Sequence, residues 1–144
     1  MNPFPSRDQL LRACRGEQVP EHPLLRWARM LTVLHESRIG DSRCDIGESL
    51  SLERELVDRI DRWVESRPPA LDGVWALHTE SVGAVVDRVA QRTAYAAVAS
   101  RDAGGDELWD AWEELAEAAF GYEDLVAELS TGRRRVPVRR RVEA

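Results

Sequence analysis

Apolar residues recur along most of the chain at the three- and four-residue spacing of amphipathic helices, and no stretch alternates as a strand would. Capping residues divide this pattern into five predicted helices. A capping box of Ser6 and Gln9 opens a short first helix that runs to about Arg15. The others run from Pro23 to about Ile39, from a cap at Ser51 to about Ser66, from Thr79 or Ser81 to Ser100, and from Asp106 to Leu129.

Residues that helices exclude separate these predicted elements. They are Gly40 after the second helix, Pro68 and Pro69 after the third, and Gly104 with Gly105 after the fourth. The sequence therefore predicts an all-α fold, an antiparallel bundle of four main helices with a short N-terminal helix.

Charge is distributed unevenly along the 144 residues, which carry a formal net charge of −6. Residues 1–132 contain 14 arginines against 25 acids, whereas residues 133–144 contain 6 arginines against one acid. We expect residues 1–132 to form a single helical bundle domain and residues 133–144 to form a flexible basic tail. Nucleic acid is not an expected partner, because no aromatic residue interleaves with the arginines and the acidic body would repel phosphate.

Residue types that are missing exclude several kinds of chemistry. The chain contains no lysine, so a lysine Schiff base and a phosphate-loop lysine are both excluded. Cys14 and Cys44 lie far apart and are expected to be reduced thiols. No apolar run has the length of a membrane span, and the first residues lack the pattern of a signal peptide. A cytoplasmic protein with no membrane partner is expected.

Three ionisable residues fall on the apolar faces of predicted helices. His35 lies within the apolar arc of the second helix with Arg38 beside it, and Glu123 falls on the inner side of the fifth. Burial of such groups is costly unless they are paired or hydrogen-bonded. His35 is therefore either a core imidazole bonded to a backbone carbonyl or part of a functional site. For Arg38 and Glu123 we expect a buried stem and a head in water.

The fourth predicted helix has two distinct halves. Residues 93–99 are apolar nearly all round, as expected when neighbouring helices or a second subunit surround them. In the other half, polar residues one or two turns apart form a column along one side of the helix. The third helix carries a second such column, and a bundle could bring the two columns together into a small polar chamber. The residues in these columns are Glu80, Asp87, Arg88 and Gln91 on the fourth helix, and Arg54 and Asp61 on the third. The alternative is a set of weak surface ion pairs.

Several of these residues lie in segments that resemble a known family. The segment 78–89, His-Thr-Glu-Ser-Val-Gly-Ala-Val-Val-Asp-Arg-Val, is similar to the signature of the uncharacterised bacterial domain called DUF4254. Segments 34–36 and 54–61 resemble its Leu-His and its Arg-Asn and Ile-Asp elements. The resemblance covers about residues 22 to 130 and implies a helical fold with a shared charged cluster. Matched positions are His35, Arg54, Asp61, Glu80, Gly83, Asp87 and Arg88.

Established site patterns do not fit the chain. No histidine has a glutamate three residues before it, as a di-iron bundle requires. A single metal held by His35, Glu80 and Asp87 fits sterically, but no spacing supports it, so neither a metal nor a cofactor is expected. Acid/base chemistry by a histidine and carboxylates, with an arginine to hold an anion, remains.

Two hypotheses follow. In the first, the chain is a small-molecule-binding protein or acid/base enzyme of bacterial, specialised metabolism, whose ligand is anionic or aromatic. His35, Glu80 and Asp87 would be catalytic in that case. The residues that would bind the ligand are Arg54, Asp61, Arg88, Gln91 and Glu123. In the second, the chain is a noncatalytic homodimeric interaction module, the charged cluster is purely structural, and residues 93–99 form the dimer seam.

Overall fold

The computed structural model describes residues 3–40, 43, 45–67, 80–102 and 104–131, and this part of the chain contains five α-helices and no β-strand. The all-α prediction is therefore confirmed for the described residues. The predicted basic tail, residues 133–144, lies outside them. The helices are α1 (Arg7–Cys14), α2 (Pro23–Gly40), α3 (Ile46–Glu65), α4 (Val82–Asp102) and α5 (Asp106–Thr131).

Two of the predicted helix starts are confirmed by their capping hydrogen bonds. The Ser6 hydroxyl accepts a bond from the Gln9 amide at 3.1 Å, and the Gln9 side chain accepts one from the Ser6 amide at 3.0 Å. At the start of α4 the Ser81 hydroxyl accepts a bond from the Ala84 amide at 3.1 Å. Each cap satisfies a backbone donor that the first turn of a helix leaves without a partner.

The predicted start of α3 is wrong. The helix begins at Ile46, and its cap is Asp45, whose carboxylate accepts a bond from the Glu48 amide at 3.0 Å. Gly47 in the first turn weakens the helix by about 1 kcal/mol relative to alanine. Tertiary contacts offset that loss, because the added turn buries Ser49, which accepts a bond from Arg38 Nε at 2.6 Å.

The central element of the fold is α4, which packs against all four other helices. Its neighbours cover Thr93, Ala94 and Ala96, whereas Tyr95 remains 46% exposed. This position explains why the second half of α4 is apolar nearly all round. No described helix is both long enough and apolar enough to cross a membrane.

The core extends from α4 to the first helix of the chain. Tyr122 of α5 is fully buried, and its hydroxyl donates to the Pro5 carbonyl at 2.7 Å, which ties the segment before α1 to α5. Cys14 is a free buried thiol, as expected, and burial raises its pKa to about 11. Cys44 lies outside the described residues.

The backbones of α3 and α4 approach each other most closely at Gly83. A Cβ atom at this position would lie 2.5 Å from the Val57 carbonyl oxygen and 2.7 Å from Asp61 Oδ1. The same Asp61 oxygen accepts a hydrogen bond from the Gly83 amide at 2.7 Å. The first turn of α4 is thus held directly against α3, and only glycine leaves room for this contact.

We predict that Gly83→Ala lowers the free energy of unfolding by about 2 kcal/mol, because the added methyl group must push two backbones apart. Gly121→Ala is the matched control. Apart from the adjacent residues and backbone of α5 itself, a methyl group added to Gly121 would have no atom within 4 Å, so alanine should be neutral or stabilise by up to about 1 kcal/mol. Urea unfolding followed by circular dichroism measures both. Equal stabilities for the two variants would contradict the close approach.

Candidate functional site

The candidate site is built around His35, the most buried of the predicted site residues. Its side chain is 4% exposed, and its Nε2 atom donates a hydrogen bond of 2.7 Å to Asp87 Oδ1. Glu53 Oε2 lies 3.8 Å from the same nitrogen. Because these residues belong to α2, α4 and α3, the site exists only where the three helices meet.

Arg38 extends the cluster by one further charge. Its Nη2 atom forms an ion pair with Glu53 Oε1 at 2.6 Å, and its Nε atom donates to Ser49. The side chain is only 18% exposed, so the expectation that its head lies in water is wrong. Glu53, 20% exposed itself, supplies the opposite charge that makes burial of the guanidinium tolerable. The four side chains form a polar cluster, defined as Arg38, Glu53, Asp87 and His35.

The environment moves the pKa values of the two carboxyl groups apart. A hydrogen bond with Asp87 is the main reason that the pKa of Glu53 is raised, and burial adds to it while Arg38 opposes it. Burial acts to raise the pKa of Asp87 as well, but hydrogen bonds with His35 and Glu53 outweigh it and leave the pKa lowered. Of the two carboxyl groups, Glu53 therefore holds a proton more tightly than Asp87 does.

The polar cluster opens onto a concavity of about 500 Å³ between α3 and α4. Glu53 and Asp87 line it, whereas His35 is absent from its wall and lies behind Asp87, toward the core. A molecule in the concavity would therefore meet the carboxyl groups first. The wall consists of Leu50, Glu53, Arg54, Val57, Glu80, Ala84, Asp87, Arg88 and Gln91.

Most of the sequence-predicted site residues line this concavity. Arg54 is exposed at its edge and has no ion pair with any described side chain. Arg88 and Glu80 form an ion pair with each other on the wall. Gln91 lies one turn beyond Asp87 on the same face of α4. Of the expected third-helix column, Arg54 thus lies beside the polar residues of α4, whereas Asp61 does not line the concavity.

Two predicted ligand-binding residues lie elsewhere. Asp61 is absent from the wall, because its carboxylate is engaged with the Gly83 amide at the start of α4. Glu123 is 48% exposed and pairs with Arg7 of α1 at 3.6 Å, so its head is in water as expected. Neither side chain is placed to contact a ligand in this concavity.

Glu53 is the site residue that the sequence pattern did not reveal. It follows the buried Ser49 by four residues and precedes the buried Leu56 by three, so it lies on the inner face of α3. With the helix expected to start only after Ser51, Glu53 fell in the first turn, where acidic residues are common. The sequence did contain a signal for Glu53, because helical spacing places this charged residue among positions that face the core.

A second, wider groove of about 590 Å³ lies between α4 and α5. Four acidic residues of α5 line it, and Arg92 of α4 reaches Glu114 across it at 3.4 Å. Its wall contains no histidine and no buried ionisable group. The smaller concavity is therefore the better candidate for chemistry, although the groove is larger.

Comparison of the chain with known protein families, with curated proteins and with solved structures finds no match in any of the three. Function is accordingly inferred from the geometry of the site.

Asp61 gives a prediction for the pH dependence of stability. Burial raises its pKa, Asp58 and Glu65 raise it further, and hydrogen bonds from Ser81 and Gly83 oppose the shift. The folded chain therefore holds this proton more tightly than the unfolded chain, and stability falls as the pH rises through the pKa of the folded state.

Asp61→Asn keeps an oxygen acceptor for the Gly83 amide but cannot ionise. We predict that the variant gains stability relative to the original chain between about pH 4.5 and about pH 7, because it loses this decline. Asp110→Asn, an exposed position on α5, is the control and should show no such gain. Urea unfolding at both pH values measures the difference. If the two proteins differ in unfolding free energy by the same amount at both pH values, the pKa of Asp61 is not raised in the folded chain.

Proposed function

We propose that the concavity between α3 and α4 binds a small anionic molecule and that the carboxyl groups at its inner end exchange a proton with it. The observation that carries the proposal is the position of Asp87. Its carboxylate is bonded to a buried imidazole on one side and lines an open concavity on the other. A general base must reach the proton it removes, and this geometry leaves that path open.

The proposal gives each residue a distinct part. Asp87 and Glu53 face the bound molecule, and His35 positions Asp87 from the core side. Arg54 has no described ion-pair partner, so its guanidinium is available to a carboxylate or phosphate group. Arg88 is engaged by Glu80 and would bind an anion only in exchange for that partner.

The biological setting is part of the proposal. Similarity of the segments around His35, Arg54 and Asp87 to DUF4254 supports a bacterial protein, and we place it in the cytoplasm, in specialised metabolism. For the architecture we propose that α2 to α5 form an antiparallel bundle. The brief connections between α2 and α3 and between α4 and α5 support this arrangement, since they favour reversal of the chain direction.

Anion binding is tested with inorganic phosphate and benzoate as probes. We predict that Arg54→Ala weakens binding of the better probe about tenfold, the loss of a charge-assisted hydrogen bond worth roughly 1.5 kcal/mol. Arg59→Ala is the control, because Arg59 is exposed on the same helix, pairs with Glu55 and is absent from the wall. NMR titration of the full chain gives the dissociation constants. Equal affinities in the two variants would refute the proposal, as would chemical-shift changes at residues that lie away from the concavity.

A second function is favoured by exposed aromatic residues, which suit a noncatalytic homodimer. Tyr95 is 46% exposed, Trp109 66% and Trp112 47%. Within the chain Thr93, Ala94 and Ala96 are already buried by neighbouring helices, so these aromatic side chains would form the seam.

His35→Gln separates the two functions. If the cluster serves a ligand, the variant should keep its melting temperature within about 3 °C and bind the probe more weakly. If the cluster is purely structural, the variant should unfold or lose dimers, as seen by calorimetry and sedimentation. Trp109→Ala is the companion variant, since it should affect only the dimer.

A further inference from the structure

Three potential metal-binding atoms of the polar cluster lie close together. His35 Nε2 and one carboxylate oxygen each from Glu53 and Asp87 all lie within 4.8 Å of one another. Three different helices supply them, so their positions are fixed by the packing of α2, α3 and α4. Among the described residues this is the one group of imidazole, thiol or carboxylate side chains that meets the distance requirement for a shared ion.

The chemistry of these donors suits a first-row divalent metal ion. One borderline imidazole nitrogen and two hard carboxylate oxygens form a mixed set of ligands, which Zn²⁺ accepts at about 2.0 to 2.2 Å. Catalytic zinc sites use three protein ligands and leave a further position for water or substrate. Here the concavity offers that position, because Glu53 and Asp87 line it while His35 closes the site from the core.

The surroundings of Glu53 match those of a metal ligand. Arg38 holds Oε1 at 2.6 Å, and Oε2 is directed toward His35. Arg38 is fixed in turn by the buried Ser49. Metal-binding carboxylates are commonly oriented in this way by a second polar contact, which leaves one oxygen for the ion.

We propose that His35, Glu53 and Asp87 bind one divalent transition-metal ion, Zn²⁺ or an ion of similar size, with open coordination toward the concavity. The ion takes the place of the proton that His35 Nε2 donates to Asp87, and that proton is released to solvent. The site itself stands on the donor geometry. Only the role of the ion rests on the proposed function, in which it would contact the anionic molecule held by Arg54.

This proposal departs from the expectation of no metal. That expectation combined His35 and Asp87 with Glu80, and the structure instead pairs Glu80 with Arg88. Glu53 completes the set in its place.

The first experiment is calorimetric titration of the chelator-treated full chain with Zn²⁺. We expect one ion per chain in the original protein. His35→Gln, Glu53→Gln and Asp87→Asn should each weaken binding by about 100-fold or more, beyond the 10- to 100-fold typical of losses around a metal ligand. The controls are Glu55→Gln, an exposed acid on α3, and His22→Gln, whose ring bonds the Pro3 carbonyl. Both should bind as the original chain does.

Circular dichroism and urea unfolding of each variant establish that it folds. The three substitutions retain side-chain size and hydrogen-bonding atoms, and any one that folds suffices for the comparison. Zn²⁺ binding that is absent, or that is unchanged in a folded variant of the three, would overturn the site.

The second experiment uses Co²⁺, whose visible absorption reports its coordination. Phosphate added to the Co²⁺-loaded chain should change the spectrum if a position is open, and Arg54→Ala should weaken that response about tenfold without altering the spectrum beforehand. Phosphate binding that depends on Arg54 without ion binding at the three ligands would refute the metal site and retain the proposed function. Ion binding at the three ligands without any Arg54-dependent anion binding would refute the proposed function and retain the metal site.

Discussion

The arrangement of the site depends on the direct contact between α3 and α4 at Gly83. There the absence of a side chain lets the helix backbones meet, and the Asp61 carboxylate fixes the first turn of α4 by accepting its amide hydrogen. Asp87 follows Gly83 by one helical turn, so it projects from the same side of α4. The contact thereby sets both the height and the rotation at which Asp87 meets Glu53 and His35.

A cluster of ionisable side chains such as the polar cluster is unusual between the packed helices of a protein. Moving a charged side chain out of water costs several kcal/mol per ion even after relaxation. In this protein each group of the polar cluster has a hydrogen-bonding or oppositely charged neighbour. The contacts run from Arg38 to Glu53, then to Asp87 and His35. Such a cluster adds little net stability compared with apolar residues of the same size. Its presence next to an open concavity is the reason that we propose a ligand at this place.

The sequence predicts those features that short segments determine. Apolar spacing predicts the five helices, the caps at Ser6 and Ser81 place two of their starts, and the inward position of His35 follows from its neighbours on α2. The predicted start of α3 was wrong because Asp45 and Ser51 are both good capping residues. Which of them caps the helix depends on packing against α2. The partner of Arg38 was missed for a related reason, since a contact between helices leaves no trace in local spacing.

The contact at Gly83 also has a consequence for how this sequence tolerates changes in length. An insertion upstream of Ser81 leaves the distance from the anchored turn to Asp87 unaltered. One residue inserted between Gly83 and Asp87 would instead swing the carboxylate by about 100° around the axis of α4 and carry it out of reach of His35. Homologous sequences should therefore vary in chain length before the anchor and keep the four-residue interval after it.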